Sequence, residues 1–68
     1  MNIVVKSLGK DEMNIFLDEE STVLDLIRAI GIPENADKIC WVNGEISQSK
    51  KKLKNGDRIE ILPLFDGG

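Results

Sequence analysis

Apolar and polar positions alternate along the first stretch of the chain, change period once in the middle, and alternate again towards the end. From Met1 to Ser7, Ile3 and Val5 share one face while Asn2, Val4 and Lys6 share the other, the two-residue period of a strand. Leu8-Gly9-Lys10-Asp11-Glu12 supplies turn chemistry. Met13, Ile15 and Leu17 then alternate with Asn14, Phe16 and Asp18, which predicts a second strand and a hairpin. The period now lengthens. Val23, Leu26, Ile27 and Ile30 fall at i, i+3, i+4 and i+7, the apolar stripe of a helix from about Thr22 to Ile30. Thr22 is placed to cap it with Asp25 three residues on, and Asp18, Glu19 and Glu20 lie on the favourable side of its dipole. Gly31 stops the helix and Pro33 prevents its return.

Beyond a polar loop, Ile39-Cys40-Trp41-Val42 is a short apolar run closed by Asn43-Gly44, a strong reversal signal. Glu45 to Ser47 reads as a brief further strand. Lys50, Lys51, Lys52 and Lys54 surround Leu53, which pins this segment to the core. Asn55-Gly56-Asp57 turns the chain once more, and Arg58 to Leu62 is a last strand with Ile59 and Ile61 on one face. Pro63 is expected to end the ladder by removing a donor. The order is ββαβββ. It forms one domain over residues 1–62, followed by a flexible tail over residues 63–68, and no linker, repeat or low-complexity segment interrupts it.

Composition narrows the chemistry. Sixty-eight residues lie near the lower limit for folding without a metal or disulfide. One cysteine allows no internal disulfide, and the absence of histidine removes imidazole ligands together with Ser/His/Asp and Cys/His machinery. No catalytic side chain and no metal site are expected, so the chain is not an enzyme by itself. A net charge of −3 argues against nucleic acid. No apolar run has the length of a membrane span, and Met1-Asn2 leads into a strand rather than a signal peptide. The expected setting is the cytoplasm.

What chemistry remains lies at Gly67-Gly68. Two glycines bury nothing and lose much entropy if ordered, yet a Gly-Gly end can be drawn extended into a narrow cleft where any side chain would clash. The bland reading is a frayed terminus. Val42-Asn43-Gly44-Glu45, and Leu53-Lys54-Asn55-Gly56-Asp57-Arg58-Ile59-Glu60-Ile61-Leu62-Pro63 leading to Gly67-Gly68, resemble the ThiS/MoaD sulfur-carrier family. The whole element order resembles the ubiquitin-like β-grasp. The resemblance implies an α+β fold with a mixed four- to five-stranded sheet and one helix packed across it. It also implies that a partner enzyme adenylates the Gly68 carboxylate with ATP, and that sulfur then displaces AMP to leave a thiocarboxylate. The carrier itself holds no cofactor. Its implied partners are the adenylating enzyme, a sulfur donor such as a cysteine desulfurase, and an acceptor synthase. Thiamin thiazole formation is the first pathway to consider, then molybdopterin and sulfur amino acid synthesis. From Pro63 to Gly68 the tail could reach about 20 Å if extended, at ~3.3–3.6 Å per residue. Gly67, Asp66, Phe65 and Leu64 are the residues a partner would read. Asp66 departs from the small residue usual in the family, and Phe65 is bulkier than usual.

The resemblance also sets a phase for the third strand that periodicity leaves open, with Cys40 and Val42 inward and Trp41 outward. Packing is then the expected role of Cys40, rather than a persulfide. Val4, Phe16, Trp41 and Leu62 would face away from the helix as a docking surface, with Trp41 largely exposed near Leu62. A covering loop or self-association is the plainer explanation of that surface. The lysine run reads as a solvated loop, or as a contact with an acidic rim on a partner. Two other functions share the fold: a ubiquitin-like modifier joined through Gly68 to lysines, and a passive interaction module.

Overall fold

A computed structural model describes residues 1–7 and 9–64. The elements are β1 (Asn2–Ser7), β2 (Met13–Phe16), α1 (Val23–Ile30), β3 (Lys38–Val42), β4 (Glu45–Ser47) and β5 (Arg58–Pro63). The five strands form one mixed sheet in the order β2-β1-β5-β3-β4. β1 and β5 run parallel at its centre, and the remaining pairs are antiparallel. This is the α+β, ββαβββ arrangement expected from the sequence.

One face of the sheet is the core. Ile3, Val5, Cys40, Val42, Ile59 and Ile61 point inward, and Val23, Leu26 and Ile27 of α1 pack over them with Met1 and Leu53. The strand alternation and the helical stripe therefore converge on one apolar layer, where each fully buried aliphatic side chain contributes about 1.5–3 kcal/mol.

The helix begins at Val23, with Thr22 as its cap, as the sequence predicts. Thr22 Oγ1 accepts from the Asp25 N–H at 3.3 Å, and Asp25 Oδ2 accepts from the Thr22 N–H at 2.8 Å, a reciprocal capping box. The next free donors are met from outside the helix. Val23 and Leu24 N–H groups donate to the carbonyls of Lys51 and Ser49, both at 3.0 Å. The lysine-rich segment thus serves the fold through its backbone, while its four lysine side chains face solvent. Gly31, at φ 84°, closes the helix in the left-handed conformation, and the Ile32 N–H reaches back to the Ile27 carbonyl.

A polar knot joins the β3–β4 hairpin to β5. Asn43 and Gly44, at φ 52° and 85°, form a two-residue turn whose twist suits a hairpin. Asn43 Nδ2 donates to Asp57 Oδ1 at 2.9 Å, and Asn43 Oδ1 accepts from the Arg58 N–H at 3.0 Å. The buried Asp57 carboxylate also accepts from the Lys54 N–H at 2.8 Å. At the other end of β5 the ladder runs past the expected stop at Leu62. Pro63 stands opposite Lys38, and the Leu64 N–H donates to the Asp37 carbonyl at 2.8 Å. Proline lacks a donor, but the bond beside this pair is made by the Leu64 N–H, so the ladder can run past it.

Asn43→Ala removes two hydrogen bonds and a residue suited to positive φ, so it should lower unfolding free energy by about 2–3 kcal/mol in urea titrations. A second test concerns acid. Hydrogen bonds from the Thr22 backbone and then its hydroxyl hold the Asp25 carboxyl below its ordinary value. Its stabilising contribution is therefore fully present above the unfolded pKa of about 3.9, and is lost as pH falls through the lower folded value. Asp25→Asn should reduce the melting temperature at neutral pH, and its curve should converge with the parent's near the acid limit of the titration.

Candidate docking face and tail root

The sheet face turned away from α1 is set by register. Lys6 stands opposite Glu60, Glu60 opposite Trp41, and Trp41 opposite Ile46, which makes one row across four strands. Ile39 and Leu62 face each other in the next row. Trp41, Ile39, Leu62 and Ile46 thus make an apolar patch, with Ile46 74% exposed. A groove of about 310 Å³ runs beside it, lined by Lys6, Gly9, Trp41, Glu60, Ile61 and Leu62.

The four residues expected on this face, Val4, Phe16, Trp41 and Leu62, all lie on it, but they do not form one apolar surface. Val4 is flanked by Asn14 and Arg58, and Phe16, 71% exposed, pairs with Asn2 on the edge strand. Arg58, Lys6 and Glu60 stand between those two residues and Trp41. Arg58 is ion-paired to Glu12 there, which raises its pKa further. Trp41 is partly buried rather than largely exposed, because Glu60 and Ile46 flank it on neighbouring strands. Ile39 and Ile46 are the members that sequence reading missed. A three-residue strand carries too little periodicity to orient Ile46, and Ile39 follows only once the phase of Trp41 is known.

Leu64 lies where this face meets the end of β5. Its N–H is held by Asp37 and its side chain is 51% exposed. Phe65, Asp66, Gly67 and Gly68 lie outside the described residues.

Cys40 is 6% exposed, on the inner face opposite Ile61 and Ser47. Burial pushes its thiol up, only partly offset by the Lys38 charge. This is the setting of a packing thiol, not of a nucleophile. Among the described residues, no three carboxylate or thiol groups gather to hold a metal, and no helix is long and apolar enough to cross a membrane.

A single helix across a mixed sheet with parallel central strands defines a ubiquitin-like β-grasp protein. Residues 3–68 match the ThiS family, and the chain belongs to it. Its members are small carrier proteins rather than catalysts. Among solved structures, the chain is similar to a Pyrococcus furiosus protein assigned as molybdopterin converting factor subunit 1, with 30% identity over 91% of this chain and 95% of that one and a TM-score of 0.76. The thiamine biosynthesis protein ThiS of Geobacter metallireducens is 26% identical over the whole of both chains, at a TM-score of 0.69. SAMP1 of Haloferax volcanii shares the fold at 16% identity, with a TM-score of 0.77 and full coverage of both chains.

The placement of Cys40 has a direct test. The native thiol should resist iodoacetamide at neutral pH and react only on unfolding. Cys40→Ala should cost about 1 kcal/mol in unfolding free energy, the value of a small buried group.

Proposed function

We propose that the chain carries sulfur as a thiocarboxylate at Gly68. The observation that supports this reading is the reach of the family match, which extends from residue 3 to residue 68 and takes in Gly67-Gly68. The chemistry fits a chain without histidine and with its one thiol buried. A carboxylate resists substitution because its leaving group would be oxide. In the proposed first step a partner enzyme joins the Gly68 carboxylate oxygen to the α-phosphorus of ATP and releases pyrophosphate. Sulfide or a persulfide then attacks the carbonyl carbon, AMP departs, and the resulting thiocarboxylate is nucleophilic at sulfur. With persulfide as donor, a second thiol must reduce the mixed disulfide to free that sulfur. An acceptor synthase takes up the sulfur, first for thiazole formation and otherwise for molybdopterin or a sulfur amino acid. These steps belong to the cytoplasm.

Gly67 would let the backbone enter the enzyme without a side chain, and Phe65 and Asp66 are positions the partner would read. The apolar patch of Trp41, Leu62, Ile39 and Ile46 adjoins the root of the tail and is the proposed docking surface, with Val4 and Phe16 as its periphery. Trp41 is its anchor, being large and only partly buried.

Incubation with ATP, the adenylating enzyme and a sulfur donor should raise the intact mass by the difference between a sulfur and an oxygen atom. Removal of Gly67-Gly68 should abolish that gain and leave the fold unchanged, and Cys40→Ala should keep it. Trp41→Glu should slow loading by weakening docking. A Gly-Gly remnant found on lysines of other proteins would establish the modifier function instead, since both share the adenylation step.

A further inference from the structure

The segment between α1 and β3 is fastened from several sides. Lys38 Nζ donates to the carbonyls of Glu34 at 3.0 Å and Ala36 at 2.8 Å. The Ala36 N–H donates to the Pro33 carbonyl at 3.1 Å. Arg28, in the last turn of α1, holds the Glu34 carboxylate in an exposed ion pair. Within this clamped turn lies the carbonyl of Asp37, which takes the Leu64 N–H. Lys38 itself stands opposite Pro63.

We propose that this clamp, with Lys38 at its centre, sets the point at which the tail is released towards a partner, so that Lys38 is a positioning residue for loading at Gly68. The role in loading rests on the carrier reading above. Three facts support it. The two carbonyls that Lys38 gathers, of Glu34 and Ala36, immediately precede the Asp37 carbonyl that anchors the tail, so all three share one short stretch of backbone. An ammonium with three donors and no acceptor can hold several carbonyls at once, which a neutral side chain of equal length cannot. The anchor also shortens the reach. Beyond Leu64 four residues remain, spanning at most about 14 Å, against about 20 Å for a tail that starts at Pro63. The adenylating centre must then lie within that distance of Leu64. If the anchor opens, the freedom of two more residues has to be removed when the tail enters the enzyme. That ordering cost raises KM and leaves kcat unchanged.

The test is Lys38→Met, which keeps the apolar stem and removes the donor. Amide hydrogen exchange of the free protein should show Leu64 exchanging about tenfold faster, with Ile59 and Ile61 unchanged. With the adenylating enzyme and ATP, KM for the variant should rise several-fold at constant kcat. Lys38→Gln, with a shorter neutral donor, provides the same readouts if the methionine variant folds poorly. Unchanged Leu64 exchange in both variants, or unprotected Leu64 in the parent, overturns the anchor. Faster Leu64 exchange with unaltered KM overturns the positioning role. Failure of the parent itself to load would overturn the carrier reading and any role of Lys38 in it, while the exchange result would still decide whether the clamp holds Leu64.

Discussion

The parallel pairing of β1 with β5 is the constraint on which the rest of the molecule depends. It places Val4 to Ser7 beside Arg58 to Ile61, strands from opposite ends of the chain, at the centre of the sheet. Parallel strands cannot be joined by a tight turn, so everything between them must act as the crossover. The helix, the hairpin and the lysine-rich loop fill that role. The turn preceding β5 secures the junction. Gly56 N–H donates to the Asn2 carbonyl, Asn2 N–H to Asn55 Oδ1, and Val4 N–H to the Asp57 carbonyl. Asp57 is at the same time held by Asn43, so the first strand, the hairpin and the last strand meet around one buried carboxylate. The Asn-Gly-Asp motif is thus structural, although it lies in the stretch that most resembles the family.

β5 then serves three purposes by alternation alone. Ile59 and Ile61 enter the core, Glu60 and Leu62 line the outer face, and Pro63 and Leu64 begin the tail. The carrier reading requires a reactive carboxylate close to a recognition surface. A single strand can serve both ends, because β5 lines the outer face with Glu60 and Leu62 and leads on to Pro63 and Leu64. On that reading the chain contributes geometry to chemistry performed by its partners.

Much of this was legible in the sequence because it is local. The helix was marked by its apolar spacing and by Thr22 and Gly31 at its ends, and the β3–β4 hairpin by Asn43-Gly44. The phase of Ile39-Cys40-Trp41-Val42 was not, since four consecutive apolar residues suit either orientation. The pairing of Cys40 with Ile61 decides it. Pairing also decided what periodicity could not reach: Ile46 beside Trp41, Arg58 between Val4 and Trp41, and Lys38 opposite Pro63. Each of these depends on residues distant in sequence, and no local rule locates them. The extension of β5 was hidden for the same reason, because the group that receives the Leu64 N–H belongs to another strand's approach.

The outermost strands, β2 and β4, have four and three residues. A free sheet edge is a template for unwanted pairing with other chains, and brevity is one of the ways proteins blunt it. The sheet therefore has adhesive character on its broad face, through Trp41 and Ile46, and little backbone left unpaired along its margins. Association is steered towards side-chain contact and away from strand addition. On the carrier reading proposed above, a small protein picked up and released by its partners would benefit from that division, since short edges offer a fibre few hydrogen bonds.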